Sequence, residues 1–200
     1  MSDAPDAGYG GVMTTLTSGD YVIRAIRPDD WAAVKQLLLD ALRDPVAPIA
    51  FVDTYEVALA RPDSFYQERA ERSGEGSTGA QQFIAEAPDG TWAGMTTVLI
   101  EEAGTKDWAG YPVERRQGHV VGVFVRPEHR GNGLIEALLD AGTGWAWQQR
   151  TERVRLLVHE DNARAQGAYR KAGFVPSGVV VSFSKDEASN ENELEFVLER

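Results

Sequence analysis

The chain has no cysteine. That excludes disulfides, thiolate nucleophiles and cysteine-ligated metals, and with them the stapled scaffolds and the covalent thiol enzymes. Histidine is scarce, at three. No Ser/His/Asp order stands out, so neither a covalent intermediate nor a metal is expected. No apolar run approaches the roughly 18–20 residues that a membrane-crossing helix needs. The opening MSDAPDAGYGG has neither a basic nor an apolar leader region; the expected location is the cytoplasm, with no membrane partner. Basic residues are in deficit, 20 against 31 acidic ones, for a net charge of −11. Such a surface repels nucleic acid and favours cationic partners, so any anionic ligand needs a local positive patch.

The 200 residues suffice for one domain with a sizeable core. Residues 1–19 are rich in Gly, Ala, Asp, Ser and Thr without periodicity and read as a flexible tail, leaving 20–200 as a single domain. Strand patterns are expected over 21–26, 81–86, 92–101, 119–125, 153–158, 175–182 and 193–198, the second and third joined as a hairpin by Pro88-Asp89-Gly90. Helical patterns cover 31–42, 54–60, a piece to about Arg72, 134–150 and 162–172; Gly173 supplies a left-handed C-cap for the last. The connector 43–53 is unusually apolar for a loop. The order βααβββαβαββ describes an α/β fold with a mixed sheet and helices on both faces.

The most informative stretch is 119–139, HVVGVFVRPEHRGNGLIEALL. A β-branched run is followed by a glycine loop and then a helix start, with Leu134, Leu138, Ala141 and Trp145 on one helical face. A glycine loop before a helix N-terminus offers unsatisfied N–H groups to a phosphorylated ligand. The alternative is a tight turn whose glycines serve conformation only. Neither nucleotide pattern fits: there is no GxxxxGK[ST], and Glu136 stands where a dinucleotide fingerprint needs its third glycine. Gly122 inside the strand suggests a bulge.

A second block, NARAQGAYRKAGF, places Asn162, Ala165 and Tyr169 along one helix face. Read for structure alone, Asn162 is a helix N-cap and Tyr169 a half-buried core residue. Together the two blocks resemble the GNAT family of N-acetyltransferases. That family's phosphate loop, Gln/Arg-x-x-Gly-x-Gly/Ala, is met by Arg130 and Gly133, with Ile135 departing at the sixth position. Its second signature, Asn-x-x-Ala-x-x-x-Tyr-x-x-x-Gly-Phe, is met by Asn162, Ala165, Tyr169, Gly173 and Phe174.

The resemblance implies a single-domain, mostly antiparallel sheet of about seven strands, splayed at its centre. It implies acetyl-CoA as co-substrate, contacted by Phe124, Val125, Arg130, Gly131, Asn132, Gly133, Leu134, Ile135, Asn162, Ala165 and Tyr169. The bulged strand then lends backbone groups near Phe124 and Val125 to the pantetheine. A positive patch is expected from Arg126, His129, Arg130, Arg164, Arg170 and Lys171. The reaction is direct acetyl transfer to a primary amine, with Tyr169 as proton donor to the leaving thiolate. For the general base His119 stands first, on a face expected to include Val121, Val123 and Val125; His159, Glu101 and Glu102 stay open. A small cationic amine is the expected acceptor, seated by the 45–55 connector and an acidic hairpin with Asp186, Glu187 and Glu191. Three alternatives remain: a non-catalytic CoA-binding module, an acetyltransferase acting on protein N-termini, and one acting on lysines. A homodimer is admitted as an assembly.

Overall fold

Short β-branched segments pair as strands β1 (Leu16–Ser18), β2 (Tyr21–Ala25), β3 (Ala80–Glu86), β4 (Trp92–Glu101), β5 (Gln117–Val125), β6 (Arg153–His159), β7 (Val175–Phe183) and β8 (Glu191–Glu199). These ranges come from a computed structural model, which describes residues 16–107, 110–183 and 191–200. The strands form one sheet in the order β1-β2-β3-β4-β5-β6-β8-β7. Only β5 and β6 run parallel; the other neighbours are antiparallel. The strand beyond the expected seven is β1, inside the segment read as a tail, where Leu16 pairs with Ile23. Three residues carry too little alternation to register as a strand in sequence. Residues 1–15 of that tail lie outside the described residues.

Helices α1 (Trp31–Ala41), α2 (Tyr55–Ala60), α3 (Asp63–Ser73), α4 (Leu134–Gln148) and α5 (Ala163–Lys171) complete the fold. On one face of the sheet, Leu134, Leu138, Leu139 and Trp145 of α4 meet Phe83, Val98 and Val120. On the other, Val34 and Leu37 of α1 and Tyr66 of α3 meet Ile84, Met95 and Phe124. Phe83 and Ile84 go to opposite cores, as the period of two in a strand requires. Among the described residues no helix is long and apolar enough to cross a membrane.

The sheet opens at its middle. The parallel ladder joins residues 117–120 of β5 to 153–156 of β6 and stops there. Beyond it, Leu157, Val158 and His159 pair with β8, while the rest of β5 pairs with β4. The β4–β5 register jumps between Thr97↔Val121 and Met95↔Phe124, so Gly122 and Val123 stand opposite Thr96. Gly122 holds φ at +63°, in the left-handed region that a residue with a Cβ enters at a cost. The extra residue also shifts the strand's phase. Val120 and Val125 both belong to the α4 side, and Phe124 faces α1 and α3. The expectation that His119 shares a face with Val125 is therefore corrected: a one-residue slip exchanges the faces of everything after it.

The closed end of the sheet is held by buried charge. Arg155 of β6 bonds Glu101 of β4 twice, at 3.0 Å each, and Asp107 at 2.8 Å; Glu195 of β8 lies 3.5 Å away. Gln117 and His119 of β5 reach the same Glu101 carboxylate at 2.7 and 2.8 Å. Burial pushes the Glu101 carboxyl up, but His119 and Arg155 outweigh it and hold it down at about 2. Burial likewise opposes the charge on Arg155, and Glu101 and Asp107 overcome it to raise that guanidinium.

Two outcomes follow for stability. Glu101 has a folded value below its ordinary 4.5, so its contribution is present above that pH and is lost as pH falls toward 2. The free energy of unfolding, measured by denaturant titration at stepped pH, should drop across that window, and Glu101→Gln should flatten the drop. At Gly94 of β4 an added Cβ would lie 2.7 Å from the Phe124 carbonyl oxygen and 3.2 Å from Leu138. Gly94→Ala should therefore cost about 1–3 kcal/mol by the same titration, because it forces the strand pair and α4 apart.

Candidate active site

The wedge between β5 and β6 is a cleft of about 440 Å³. One part is lined by Val123, Arg130 and Ile135 with Asn162, Ala165 and Tyr169 of α5; another by Leu38, Ile49, Phe51, Asp53, Arg69 and Met95. We refer to these as the donor half and the acceptor half, after the roles proposed for them below.

The donor half has the features of an anion seat. Helix α4 begins at Gly133, which adopts φ +71°, ψ 14°, and no side chain caps the first turn. Its first N–H groups have no partner one turn back, and their dipoles converge on the loop. Gly131 at φ +85° has nothing within 4 Å of where a Cβ would stand. These residues fit a pyrophosphate, which takes N–H groups without needing side-chain charge. Ile135 lines the cleft and is partly buried against the α4 core, with Leu134 fully buried behind it. Asn132 donates to the His129 carbonyl oxygen at 3.2 Å.

Two of the six residues of the expected positive patch, Arg126 and Arg130, are neutralised by carboxylates. Arg130 donates to the Val125 carbonyl oxygen at 2.9 Å and pairs with Asp44 of the connector. Burial raises the Asp44 carboxyl, yet the Val46 N–H and Arg130 bring it below its ordinary value. Arg126 bonds Asp40 of α1 at 2.6 Å and the Trp92 carbonyl oxygen at 2.7 Å. His129 meets the Tyr21 hydroxyl at 2.9 Å, and the Arg170 guanidinium stacks 5.1 Å over Phe196. Arg126 and Arg130 thus clamp the glycine loop to α1 and the connector. Sequence reasoning missed this because Asp40 and Asp44 are 86 residues distant from their partners. Arg164 remains exposed on α5 and lines the cleft.

On α5, Asn162 is the N-cap, its side-chain oxygen accepting from the Ala165 N–H at 3.1 Å, as the structural reading of that residue requires. It also lines the cleft, as do Ala165 and Tyr169. Tyr169 is buried, its ring 6.5 Å from those of Phe174 and Phe196. Burial, with help from the Glu193 carboxylate, pushes its phenol well above the ordinary value. The hydroxyl therefore keeps its proton at neutral pH. Phe124 is buried toward α1 and α3 and lines the cleft wall; the Val125 carbonyl is engaged by Arg130.

The two histidines of the cleft differ in what their hydrogen bonds permit. The Glu101 carboxylate can only accept, so His119 Nδ1 carries the proton and leaves the Nε2 lone pair able to take one. His159 Nδ1 accepts from the Asp161 N–H at 3.1 Å, so its proton is on Nε2 and its basic lone pair is already engaged. Both residues are buried and line the cleft. Of the two glutamates also open as bases, Glu101 is bonded to His119 and Arg155, and Glu102 pairs with Arg116 at 3.1 Å. Glu193 and Arg69, not anticipated from sequence, also line the cleft; no local pattern marks either, since each enters from a separate element. Asp186 and Glu187 lie outside the described residues, and the Glu191 side chain is not described.

The family model for the acetyltransferase (GNAT) family matches residues 34–174, more than half the chain. The chain is similar to mycothiol acetyltransferase of Saccharomonospora viridis, 38% identical over 92 residues, which is 46% of this chain and 29% of the relative. It is also similar to a putative ribosomal protein bS18-alanine N-acetyltransferase of Bacillus subtilis, 26% identical over 94 residues, 46% of this chain and 62% of the relative. The matches therefore span under a third and about three-fifths of these two relatives. Among solved structures, a GNAT-family acetyltransferase from Streptococcus pneumoniae shares the fold with a TM-score of 0.71 at 17% identity, covering 90% of this chain and 99% of that one. The chain belongs to the acetyltransferase (GNAT) family, whose acetyl donor is acetyl-CoA.

Proposed function

We propose that the protein transfers an acetyl group from acetyl-CoA directly to a primary amine. The observation that carries the reading is the co-location of three features in one cleft. They are an uncapped α4 N-terminus behind a glycine loop, an unpaired edge of β5, and the buried Tyr169, which lines the same cleft. In this reading the backbone N–H groups of Gly131, Asn132, Gly133, Leu134 and Ile135 hold the pyrophosphate, and Phe124 and Val125 flank the pantetheine. Arg130, whose own N–H goes to the Pro127 carbonyl oxygen, anchors the loop through Val125 and Asp44. Asn162 and Ala165 shape the opposite wall.

When bound, acetyl-CoA supplies the activated acetyl thioester. His119 Nε2 removes a proton from the acceptor ammonium, held in the required tautomer by Glu101. A backbone N–H on the unpaired edge of β5 donates to the carbonyl oxygen as negative charge develops there. Tyr169 gives its proton to the departing thiolate; burial, by raising the phenol, keeps that proton in place until the thiolate forms, while widening its gap from the thiol. Since Arg126 and Arg130 are paired, the seat relies on helix N–H groups for most of its attraction to phosphate.

The acceptor is an amine small enough to share about 440 Å³ with the donor's reacting end, or the end of a peptide reaching in from solvent. The cationic character expected for it rested on the acidic hairpin, most of which is outside the described residues. What supports an ammonium group here is narrower: Glu193 and the His119–Glu101 pair. One relative is named for a small thiol and the other for a protein alanine, which keeps both acceptor sizes under test.

An assay of free thiol release across small amines and peptides tests the reading; binding of CoA without turnover on any of them would favour the non-catalytic module. Tyr169→Phe should cut kcat at least about tenfold while acetyl-CoA affinity, followed by calorimetry, stays within twofold. Equal rates would remove the proton-donor role. His119→Gln, which keeps a hydrogen bond to Glu101, should lower kcat/KM by about 100-fold. It should also abolish the acidic limb of the pH–rate profile, which a structural role alone would leave in place.

A further inference from the structure

Positive side chains in the acceptor region of this acidic protein nearly all have partners. Arg61 takes both oxygens of Asp53, at 2.7 and 2.8 Å, and stacks 4.4 Å over Phe65. Lys35 bonds Asp63 at 2.7 Å, Arg126 bonds Asp40, and Arg72 lies 3.4 Å from Glu68. Arg69 of α3 is different. It lines the acceptor half of the cleft, yet among the described residues its guanidinium makes no hydrogen bond, ion pair or ring contact. Its natural counter-charge, Asp53, is already clamped at both oxygens by Arg61.

The local count is therefore two guanidiniums to one carboxylate, in a wall otherwise formed by Leu38, Phe51 and Met95. A cation half-withdrawn from water without a hydrogen-bonded partner is costly to keep, and a ligand that supplies the partner recovers that cost on binding. Burial and the neighbouring Arg61 both act against its charge and pull it below the ordinary arginine value. One excess positive charge calls for one negative charge. A dianion would face Asp53 and the protein's net charge of −11 with too little compensation. The planar, forked guanidinium matches a carboxylate through two parallel hydrogen bonds. The amine-facing groups Glu193 and His119, the latter bonded to Glu101 behind it, line the same cleft.

We propose that Arg69 binds a carboxylate on the acceptor, so that the substrate class is an amino acid or a similar zwitterion and not a simple cationic amine. The proposal rests on the acetyl-transfer reading for the reaction, and on the Arg69 site for the specificity.

The test uses ω-amino acids of three to six carbons and a set of α-amino acids, each beside its own carboxamide. The ω-series keeps amine basicity nearly constant between acid and amide, so a difference reports the carboxylate. At least one acid should exceed its amide by tenfold or more in kcat/KM. Arg69→Met should collapse that ratio toward one through a higher KM for the acid, and Arg69→Lys should recover part of it. Unchanged CoA affinity in both variants shows that they fold. Turnover indifferent to the carboxylate, or an acid preference that survives Arg69→Met, overturns the proposal and leaves the transfer reading standing. If no amine is acetylated, the same acids are titrated by calorimetry into protein saturated with CoA. Binding that depends on Arg69 then upholds the proposal while the transfer reading falls; binding of none overturns it.

Discussion

The parting of β5 from β6 is the constraint on which the rest of the molecule turns. The two strands share a ladder for four residues and then take other partners. The bulge at Gly122 gives β5 its bend toward β4, and β6 continues into β8. Backbone polar groups in the interior are almost always paired. A strand edge exposed inside a domain is therefore a place where a ligand's polar groups are wanted. The same bulge exchanges the faces of β5, sending Val125 to the α4 core and Phe124 to the opposite one. His119 lies before the exchange and Phe124 after it, so one strand presents a polar group and an aromatic wall to the same cleft.

Holding a sheet open at one end requires that it be held shut at the other. Arg155 does this with three carboxylates from β4, β8 and the loop after β4, and His119 enters the cluster through Glu101. Buried ion clusters contribute less net stability than their distances suggest, because desolvation offsets much of the attraction. Their value here is geometric: they fix the tautomer and position of a histidine that a looser wall would leave mobile. Two further pairs, Arg126–Asp40 and Arg130–Asp44, join the donor loop to α1 and the connector. Donor and acceptor halves are thus mechanically continuous, and the arginines that make them so are withdrawn from the phosphate seat.

Much of this was legible in the sequence because its signals are local. The periodicity of 134–145 identifies the buried face of α4, and Gly131, Gly133 and Gly173 adopt the positive φ values that glycine makes cheap. Gly122 marks the bulge, and the Asn162-to-Phe174 signature fixes one cleft wall from one short helix and its cap. Less legible were features made by two distant segments. The seven-strand expectation missed Leu16–Ser18, since three residues pair only because β2 is there to receive them. The positive patch was anticipated from residue type, but two of its charges, Arg126 and Arg130, are cancelled by carboxylates far along the chain.

The sequence by itself determined the family, most of the order of elements and the glycine loop before α4, because each depends on spacing within one strand, turn or helix. Tertiary structure alone decided the pairing of charges. It assigned Arg130 to Asp44 and left Arg69 without a partner among the described residues. It also set the His119 tautomer through Glu101 on the neighbouring strand, whereas that of His159 is set locally by the Asp161 N–H. Electrostatic interactions act through space, so which charge meets which is set when the sheet and its helices close on one another.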